Sequence, residues 1–320
     1  MTTQSIRKIT LLVTILLAVI LFGICKGSVK IPFFELFSDL NRQILHLRFL
    51  RVLLGIFVGA GLSVCGVTLQ AILRNPLAEP YLLGTSGGAG LGAVLAIILG
   101  LSSVYLPLAA FCGALLSIVL VYNLARQGGK IPVQSLILSG VIVAIALSGI
   151  IVFLISISGN QALHGMMWWL LGSLQIYDLK LIFLVGGIVI FGVSLIFILA
   201  QDLNAISIGE EEATHLGIEI ETIKKILFLV TALITGALVS ISGMIGFIGL
   251  IIPHMMRFVV GPNHKVLIPA SFLAGAAFLV LCDTLARSLI PPVEIPIGVI
   301  TSLVGAPIFI ILLKKGQKVK

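Results

Sequence analysis

The chain alternates between long apolar runs and short polar interruptions. A helix needs about 20 apolar residues to cross the hydrocarbon core of a bilayer. Ten runs approach or reach this length. They predict spans at about 9–26, 48–72, 82–101, 104–125, 132–157, 178–200, 223–242, 244–260, 266–289 and 296–313. The eighth run is short, and glycines and a proline interrupt it.

One polar stretch, residues 202–221, lies between two of these apolar runs and carries six of the twelve acidic residues. Ser207 and Glu210 have the spacing of a capping box, and acids in a first turn suit the helix dipole. Gly217 can end such a helix in a left-handed conformation. We therefore expect a surface helix of about two to three turns. It is either a solvated loop between two spans or a docking element for a soluble partner.

The composition supports the membrane interpretation. The chain is 59% hydrophobic and 10% charged, whereas soluble domains carry about 25% charged residues. The net charge of +8 does not indicate nucleic acid, because the bases cluster at span ends, where they anchor and orient a membrane protein. The four cysteines are scattered without a CxxC pair and are expected to be free thiols. The N-terminal apolar run is interpreted as a retained span, since no small-x-small cleavage site follows it.

The distribution of lysine and arginine predicts the orientation. An even number of spans places both termini on one side, and thirteen of the twenty bases fall on that side. Both termini and the acidic stretch are therefore expected in the cytoplasm. The opposite side would hold two larger segments, 27–47 and 158–177, with Trp168 and Trp169 as interface anchors.

A weak internal repeat runs through the chain. The pattern Gly-Ala-x-x-Ser-x-x-Gly occurs at 59–66 and again at 236–243, and Pro76 corresponds to Pro253 at the same offset. Copies that lie five spans apart run in opposite directions, which is typical of transporters. The predicted repeat halves are about 48–157 and 223–313 of a single domain over 1–320. Chance similarity between glycine-rich helices is the alternative.

No catalytic or metal-binding set is visible in the sequence. The turn at 128–130, Gly-Gly-Lys, lacks the glycine and hydroxyl residue of a phosphate-binding loop, so another chain must bind any ATP. The five histidines have no zinc-ligand spacing. Asp283 and Arg287 stand four residues apart and are expected to pair on one helix face. The lack of an ionisable series argues against an ion-coupled carrier that works alone, although the inverted repeat fits that alternative equally well.

Four stretches resemble the permease subunits of ABC importers for iron–siderophores, haem and cobalamin: 70–84 (QAILRNPLAEPYLLG), 203–217, 245–254 and 294–307. The residues that carry the motifs are Gln70, Asn75, Pro76, Pro80, Gly84, Pro253, Pro296 and Gly298. The resemblance implies an all-α membrane protein of ten spans, assembled as a homodimer in the bacterial cytoplasmic membrane. It also implies two separate ATPase subunits, a solute-binding protein and a metal-chelate substrate, with ferric siderophore first, then haem or cobalamin. It implies no enzyme activity or cofactor in this chain.

The resemblance also assigns roles to particular residues. The stretch between spans six and seven would couple to the ATPase through Ser207, Gly209, Glu210, Glu211, Glu212, Ala213, His215, Leu216 and Gly217. Arg48, Arg51 and Arg287 would dock the binding protein, with lipid-headgroup anchoring as the alternative. Phe49-Leu50 stands where relatives often have Leu-Pro, which puts the presentation of these arginines in doubt. The translocation path and its gate would be lined by Val133, Gln134, Gly140, Ala144 and Ser148.

Overall fold

The computed structural model describes residues 3–29, 31, 32, 35, 38–102, 104–128, 132–176 and 178–317. Lys30, Lys130, Lys318 and Lys320, which counted toward the predicted orientation, lie outside these ranges. No β-strand is present among the described residues. The helices are α1 Thr3–Cys25, α2 Arg42–Ile72, α3 Thr85–Ile98, α4 Tyr105–Ala125, α5 Val133–Ser156, α6 Asn160–Leu170, α7 Leu179–Ile198, α8 Ala200–Ile208, α9 Glu210–His215, α10 Ile220–Ser242, α11 Ile248–Val260, α12 His264–Ser288 and α13 Ile297–Gln317.

Each of the ten predicted spans coincides with one helix. Seven of them, α1, α2, α4, α5, α7, α10 and α12, are long and apolar enough to cross a membrane. The other three, α3, α11 and α13, are shorter apolar helices. A helix of 14 residues, such as α3, is about 21 Å long, less than the roughly 30 Å of a hydrocarbon core. Ten complete crossings therefore stay a prediction. The chain is interrupted just before two of the short helices, α3 and α11.

The sequence patterns missed one helix and misplaced the ends of others. The segment 158–177 was expected only to anchor at the interface, but it contains α6 with both tryptophans. At 11 residues, α6 is too short to register as an apolar span. Helix α2 begins at Arg42 rather than at 48. The prediction followed the apolar run, whereas the helix continues into the charged residues that precede this run.

Helix α2 forms the centre of the molecule and is buried along most of its length. It packs on α12, α7, α10 and α11. Its contact with α12 is made through backbone atoms, since a Cβ on Gly59 would stand 2.2 Å from the Gly275 carbonyl oxygen. Small residues allow such close approach, which is how membrane helices associate without a hydrophobic driving force. Helix α1 is peripheral and leans mainly on α12.

Helices from the two halves of the chain pack on each other. Helix α2 of the first half packs on α12, and α10 of the second half packs on α4. This crossed arrangement is the one that two equivalent halves would produce, because α2 corresponds to α10 and α4 to α12. The packing favours the inverted repeat, which stays a prediction.

One contact places three helix ends on the same side of the molecule. Lys8, near the start of α1, donates to the Val259 carbonyl in the last turn of α11, where the helix dipole favours a cation. The next helix, α12, begins at His264 on the same side. This arrangement agrees with the predicted order of crossings, while the side that faces the cytoplasm is an expectation from charge.

Candidate functional site

The acidic stretch forms two short helices rather than one. Ser207 lies inside α8, and its hydroxyl donates to the Asn204 carbonyl at 2.7 Å. The predicted capping box with Glu210 is therefore wrong. The chain becomes extended at Gly209, and α9 begins at Glu210 with no side-chain cap. The sequence signal failed because Ser207 bonds backward along its own helix, a local alternative open to any serine.

The predicted end of the second helix is confirmed. Gly217 has φ 78°, and its N–H donates to the Thr214 carbonyl at 2.9 Å. The next N–H, from Ile218, reaches back to the Ala213 carbonyl at 3.2 Å. These two bonds form a Schellman motif, in which the left-handed residue is usually glycine. The cap turns the chain sharply from α9 toward α10.

Helix α9 is anchored to the rest of the protein through Glu210 and Ala213. The Glu210 carboxylate lies 2.7 Å from the Lys224 ammonium group on α10 and 3.8 Å from the Arg74 guanidinium. Lys224 is buried, so its charge depends on this partner more than an exposed lysine would. Ala213 is fully buried beside Ile206 of α8. Both residues were expected to face a partner, but they hold the segment in place.

The opposite surface of the segment is free. Glu211, Glu212 and His215 are exposed. Two apolar side chains flank them, Ile208 at 75% exposure and Leu216 at 71%. Large apolar side chains that stay this exposed, on an element fixed from behind, offer apolar area that a partner could bury. We call Ile208, Glu211, Glu212, His215 and Leu216 the coupling surface.

A second attachment connects the same segment to α12. The Asn204 side chain of α8 accepts from the backbone N–H of His264 at 2.8 Å and contacts its ring at 2.8 Å. The Asn204 amide also donates to Asn263, the residue that caps α12. Helices α8 and α9 are therefore tied to both α10 and α12.

The proline-rich stretch between α2 and α3 folds into a braced corner. Arg74 has φ 45° and ends α2. The Asn75 side chain accepts from the Leu77 N–H at 2.9 Å, while Ala78 N–H donates to the Asn75 carbonyl at 3.0 Å. Gly84 has φ 73° and starts α3. The exposed Pro76 and the buried Pro80 restrict the chain between them.

This corner is attached to the break between α10 and α11. The Glu79 carboxylate accepts from the Phe247 N–H at 2.9 Å. The Tyr81 hydroxyl both donates to the Ile245 carbonyl at 3.0 Å and accepts from the Ile245 N–H at 2.9 Å. These contacts fix the corner against the interior of the bundle. Burial raises the pKa of Glu79, against a smaller lowering by the Phe247 N–H.

Gln70 connects the same elements from α2. Its amide donates to the Gly249 and Leu250 carbonyls, each at 3.2 Å, and to the Ala78 carbonyl at 3.3 Å. Its side-chain oxygen accepts from Arg257 of α11. Gln70 is buried, so these bonds satisfy a polar group that would otherwise be costly inside the protein.

The break at 243–247 holds an unusual backbone. Gly243 and Phe247 have φ 66° and 72°. The left-handed conformation costs a bulky residue such as phenylalanine roughly 1–2 kcal/mol. Such strain persists only where surrounding contacts impose it, and Glu79 supplies one at the Phe247 N–H itself. Pro253 lies buried in the helix that follows.

Two further chain ends meet the break. Gly298, at the start of α13, donates to the Leu171 carbonyl at 3.0 Å, and a Cβ at this glycine would stand 2.4 Å from the same oxygen. Pro296 accepts from the Val299 N–H in the same first turn. A cavity of about 370 Å³ lies between the break and α13, and Met244, Gly246 and Ser302 are among its lining residues.

The predicted pair of Asp283 and Arg287 is present at 3.1 Å and belongs to a larger cluster. Arg51 lies 2.7 Å from Asp283 and 2.8 Å from Glu294. Arg287 also donates to the Gly23 carbonyl of α1. Arg51 is 7% exposed and Arg287 is 2% exposed, so the guanidinium groups face protein atoms rather than a surface partner.

Arg48 is equally enclosed. It donates to the Ile24 and Cys25 carbonyls at 3.0 Å each and to Val29 at 2.6 Å. The Ile24 and Cys25 carbonyls are among those that the end of α1 leaves without a helical partner, and a cation there also suits the helix dipole. The three arginines predicted to dock a binding protein therefore hold α1, α2 and α12 together in this structure.

The residues predicted to line the path on α5 fall on different faces. Gly140 packs against the chain itself, since a Cβ there would stand 1.9 Å from the Leu82 carbonyl oxygen. Ala144 faces Gly87 of α3. Gln134 and Ser148 are exposed, and Val133 is partly exposed. Ala144 is also partly exposed, so Gly140 is the one of these five residues that the chain itself buries.

No group of three or more histidine, cysteine, aspartate or glutamate side chains within the described residues is arranged to hold a metal ion. The four cysteines are free.

The comparisons with known proteins agree with this arrangement. Residues 15–315 match the model of the FecCD transport family. The cobalamin import system permease protein BtuC of Halobacterium salinarum is 41% identical over 84% of this chain and 72% of its own length. The hemin transport system permease protein HmuU of Yersinia pestis is 36% identical over 86% and 84%. An inward-facing structure assigned to the metal-chelate type of ABC transporter superposes with a TM-score of 0.88 at 31% identity, covering 97% of this chain and 99% of that one.

The apolar helices and these matches identify a multi-pass membrane permease of the ABC importer class. The chain belongs to the FecCD transport family.

Proposed function

We propose that this chain is the permease of an ATP-driven importer that carries a metal chelate into the cytoplasm. In the proposed complex, two copies form the pathway, two ATPase subunits bind on the side of α8 and α9, and a solute-binding protein delivers the chelate on the opposite side. ATP and magnesium are bound by the ATPase. The observation that carries the proposal is the coupling surface, anchored from behind by Glu210 and free in front.

For the substrate, we propose cobalamin or haem as the first chelates to test. The two relatives named above import cobalamin and hemin. Ferric siderophore, the first expectation from sequence, is the third candidate. The alternative of an ion-coupled carrier would need a buried acid that is free to bind an ion, whereas Asp283 in the arginine cluster is already paired within the chain.

The three arginines receive a different role in this proposal from the one that the sequence suggested. Docking through Arg51 or Arg287 would require ion pairs with Asp283 to open first. We propose that they shape the surface that receives the binding protein by fixing the ends of α1, α2 and α12.

The coupling surface can be tested by removing one exposed apolar side chain. Leu216→Ser should weaken ATPase binding at least ten-fold, because truncating an apolar hot-spot side chain costs about 2 kcal/mol or more and ten-fold needs about 1.4 kcal/mol. Leu40→Ser is the control, since Leu40 is 90% exposed at the other end of α2. Equal ATPase affinity for both variants and the wild type would contradict the proposed surface.

A further inference from the structure

The corner between α2 and α3 stands between the coupling segment and the α10–α11 break. On one side, Arg74 approaches the Glu210 carboxylate of α9 at 3.8 Å. On the other, Glu79 and Tyr81 bond to Phe247 and Ile245. The corner therefore joins the surface helix α9 to the backbone of the α10–α11 break through a short series of contacts.

The corner is stiff enough to transmit a displacement. The Asn75 side chain closes a turn on Leu77, and the Asn75 N–H donates to the Gln70 carbonyl at 3.2 Å. Pro80 packs so closely on Gly249 that a Cβ there would stand 2.5 Å from the proline ring. A rigid element with bonded ends moves as a unit, whereas a loose loop would absorb the motion.

The break is the part of this arrangement that can change. Phe247 is held at φ 72°, a conformation that a phenylalanine adopts only under constraint. The neighbouring Met244 and Gly246 line the cavity beside α13. A shift of the break would therefore change the shape of that cavity.

We infer that Glu79 and Tyr81 are positioning residues through which the coupling segment controls the α10–α11 break. Movement of α9 pulls on the corner through the ion pair of Glu210 with Arg74. The corner then displaces the backbone at 245–247 through the Glu79 and Tyr81 bonds. The role of this movement in transport rests on the proposed function, but the connection itself is a property of the isolated chain.

The connection can be measured without any partner. Amide hydrogen exchange of residues 243–249 would be followed in the purified permease in nanodiscs. Glu210→Gln should raise exchange there about five-fold, the change in local opening expected when one interaction worth about 1 kcal/mol is weakened. Glu211→Gln is the control, because Glu211 is exposed on the same helix, and it should leave exchange at the break unchanged.

The double variant separates transmission from general loosening. Tyr81→Phe removes both bonds to Ile245 and keeps the ring, so it should raise exchange at the break by itself. Glu210→Gln added to Tyr81→Phe should then raise exchange less than it does in the wild-type background, because only the Glu79 bond still joins the corner to the break. Additive effects of the two substitutions, or no response at 243–249 to Glu210→Gln, would overturn the inference.

A second measurement uses the complete transporter. Tyr81→Phe should keep ATPase binding within two-fold and lower the chelate imported per ATP hydrolysed at least ten-fold. Tyr105→Phe, at an exposed tyrosine on α4, should match the wild type. An unchanged ratio for Tyr81→Phe would overturn the inference. Failure of the wild type to bind an ATPase would instead contradict the proposed function. The hydrogen-exchange experiment would still show whether α9 and the α10–α11 break are connected.

Discussion

Substituting Arg51 with alanine distinguishes a structural arginine from a docking arginine. The side chain joins Asp283 at 2.7 Å and Glu294 at 2.8 Å, and Asp283 is 1% exposed. Removing one partner of a buried pair typically costs about 3–5 kcal/mol, because the remaining charge loses its compensation. Asp283 keeps Arg287 at 3.1 Å, so we expect a loss of about 3 kcal/mol, the lower end of that range.

The assay is the unfolding equilibrium of the isolated permease in mixed micelles, with no binding protein present. A loss of about 3 kcal/mol corresponds to roughly a hundred-fold change in the unfolding constant. Arg42→Ala is the matched control, since Arg42 is exposed at the start of the same helix, and it should change stability by less than about 0.5 kcal/mol. If Arg51→Ala unfolds like the control but binds the solute-binding protein more weakly, the structural assignment is refuted and the docking role is restored.

Three further predictions follow from the packing and the charges. Gly66→Val should prevent stable folding, because a Cβ there would stand 1.9 Å from a carbonyl oxygen of α11. Gly187→Val is the control and should be tolerated, since nothing lies within 4 Å of a Cβ at that position. Similar yields of folded protein for the two variants would contradict the close packing of α2 on α11. Burial opposes ionisation of Glu294, but attraction and a hydrogen bond from its arginine partner outweigh it and lower its pKa below the ordinary 4.5. Its contribution to stability should thus be present above pH 4.5 and be lost as the pH falls through the lowered value, and a Glu294→Gln variant should show less of this acid loss in pH-dependent unfolding. Lys224→Met should loosen α9 and raise the rate at which a protease cleaves it, because Lys224 is buried against the Glu210 carboxylate of α9. Lys225→Met is the control and should leave that rate unchanged. Equal cleavage rates for the two variants would show that the Lys224–Glu210 pair does not anchor the helix.

Apolar run length was a good guide to the order of helices and a poor guide to their ends. All ten predicted spans contain a helix, since burial in lipid or protein requires apolar side chains over the whole length of a helix. The breaks were harder to predict. The glycines at 243–249 showed that the eighth span was irregular, but the conformation of Phe247 depends on Glu79, which is 168 residues away.

In the candidate site, too, features that depend on neighbouring residues could be predicted, whereas contacts between residues far apart in sequence could not. Gly217 was predicted correctly as a helix end, because the cap depends only on neighbouring residues. The role of Arg51 was not predictable, since its partner Glu294 is 243 residues distant in sequence. The cytoplasmic location predicted for Glu210 rests on the span count, and its pairing with Lys224 could not be predicted without the turn between α9 and α10.

The most direct test of the account is transport by the purified chain reconstituted in liposomes with its ATPase and its solute-binding protein. Uptake of cobalamin, haem and a ferric siderophore would be measured with ATP, without ATP and without the ATPase. We predict uptake of one of these chelates only when ATP and the ATPase are both present. Uptake by the permease alone under an ion gradient would contradict the central claim.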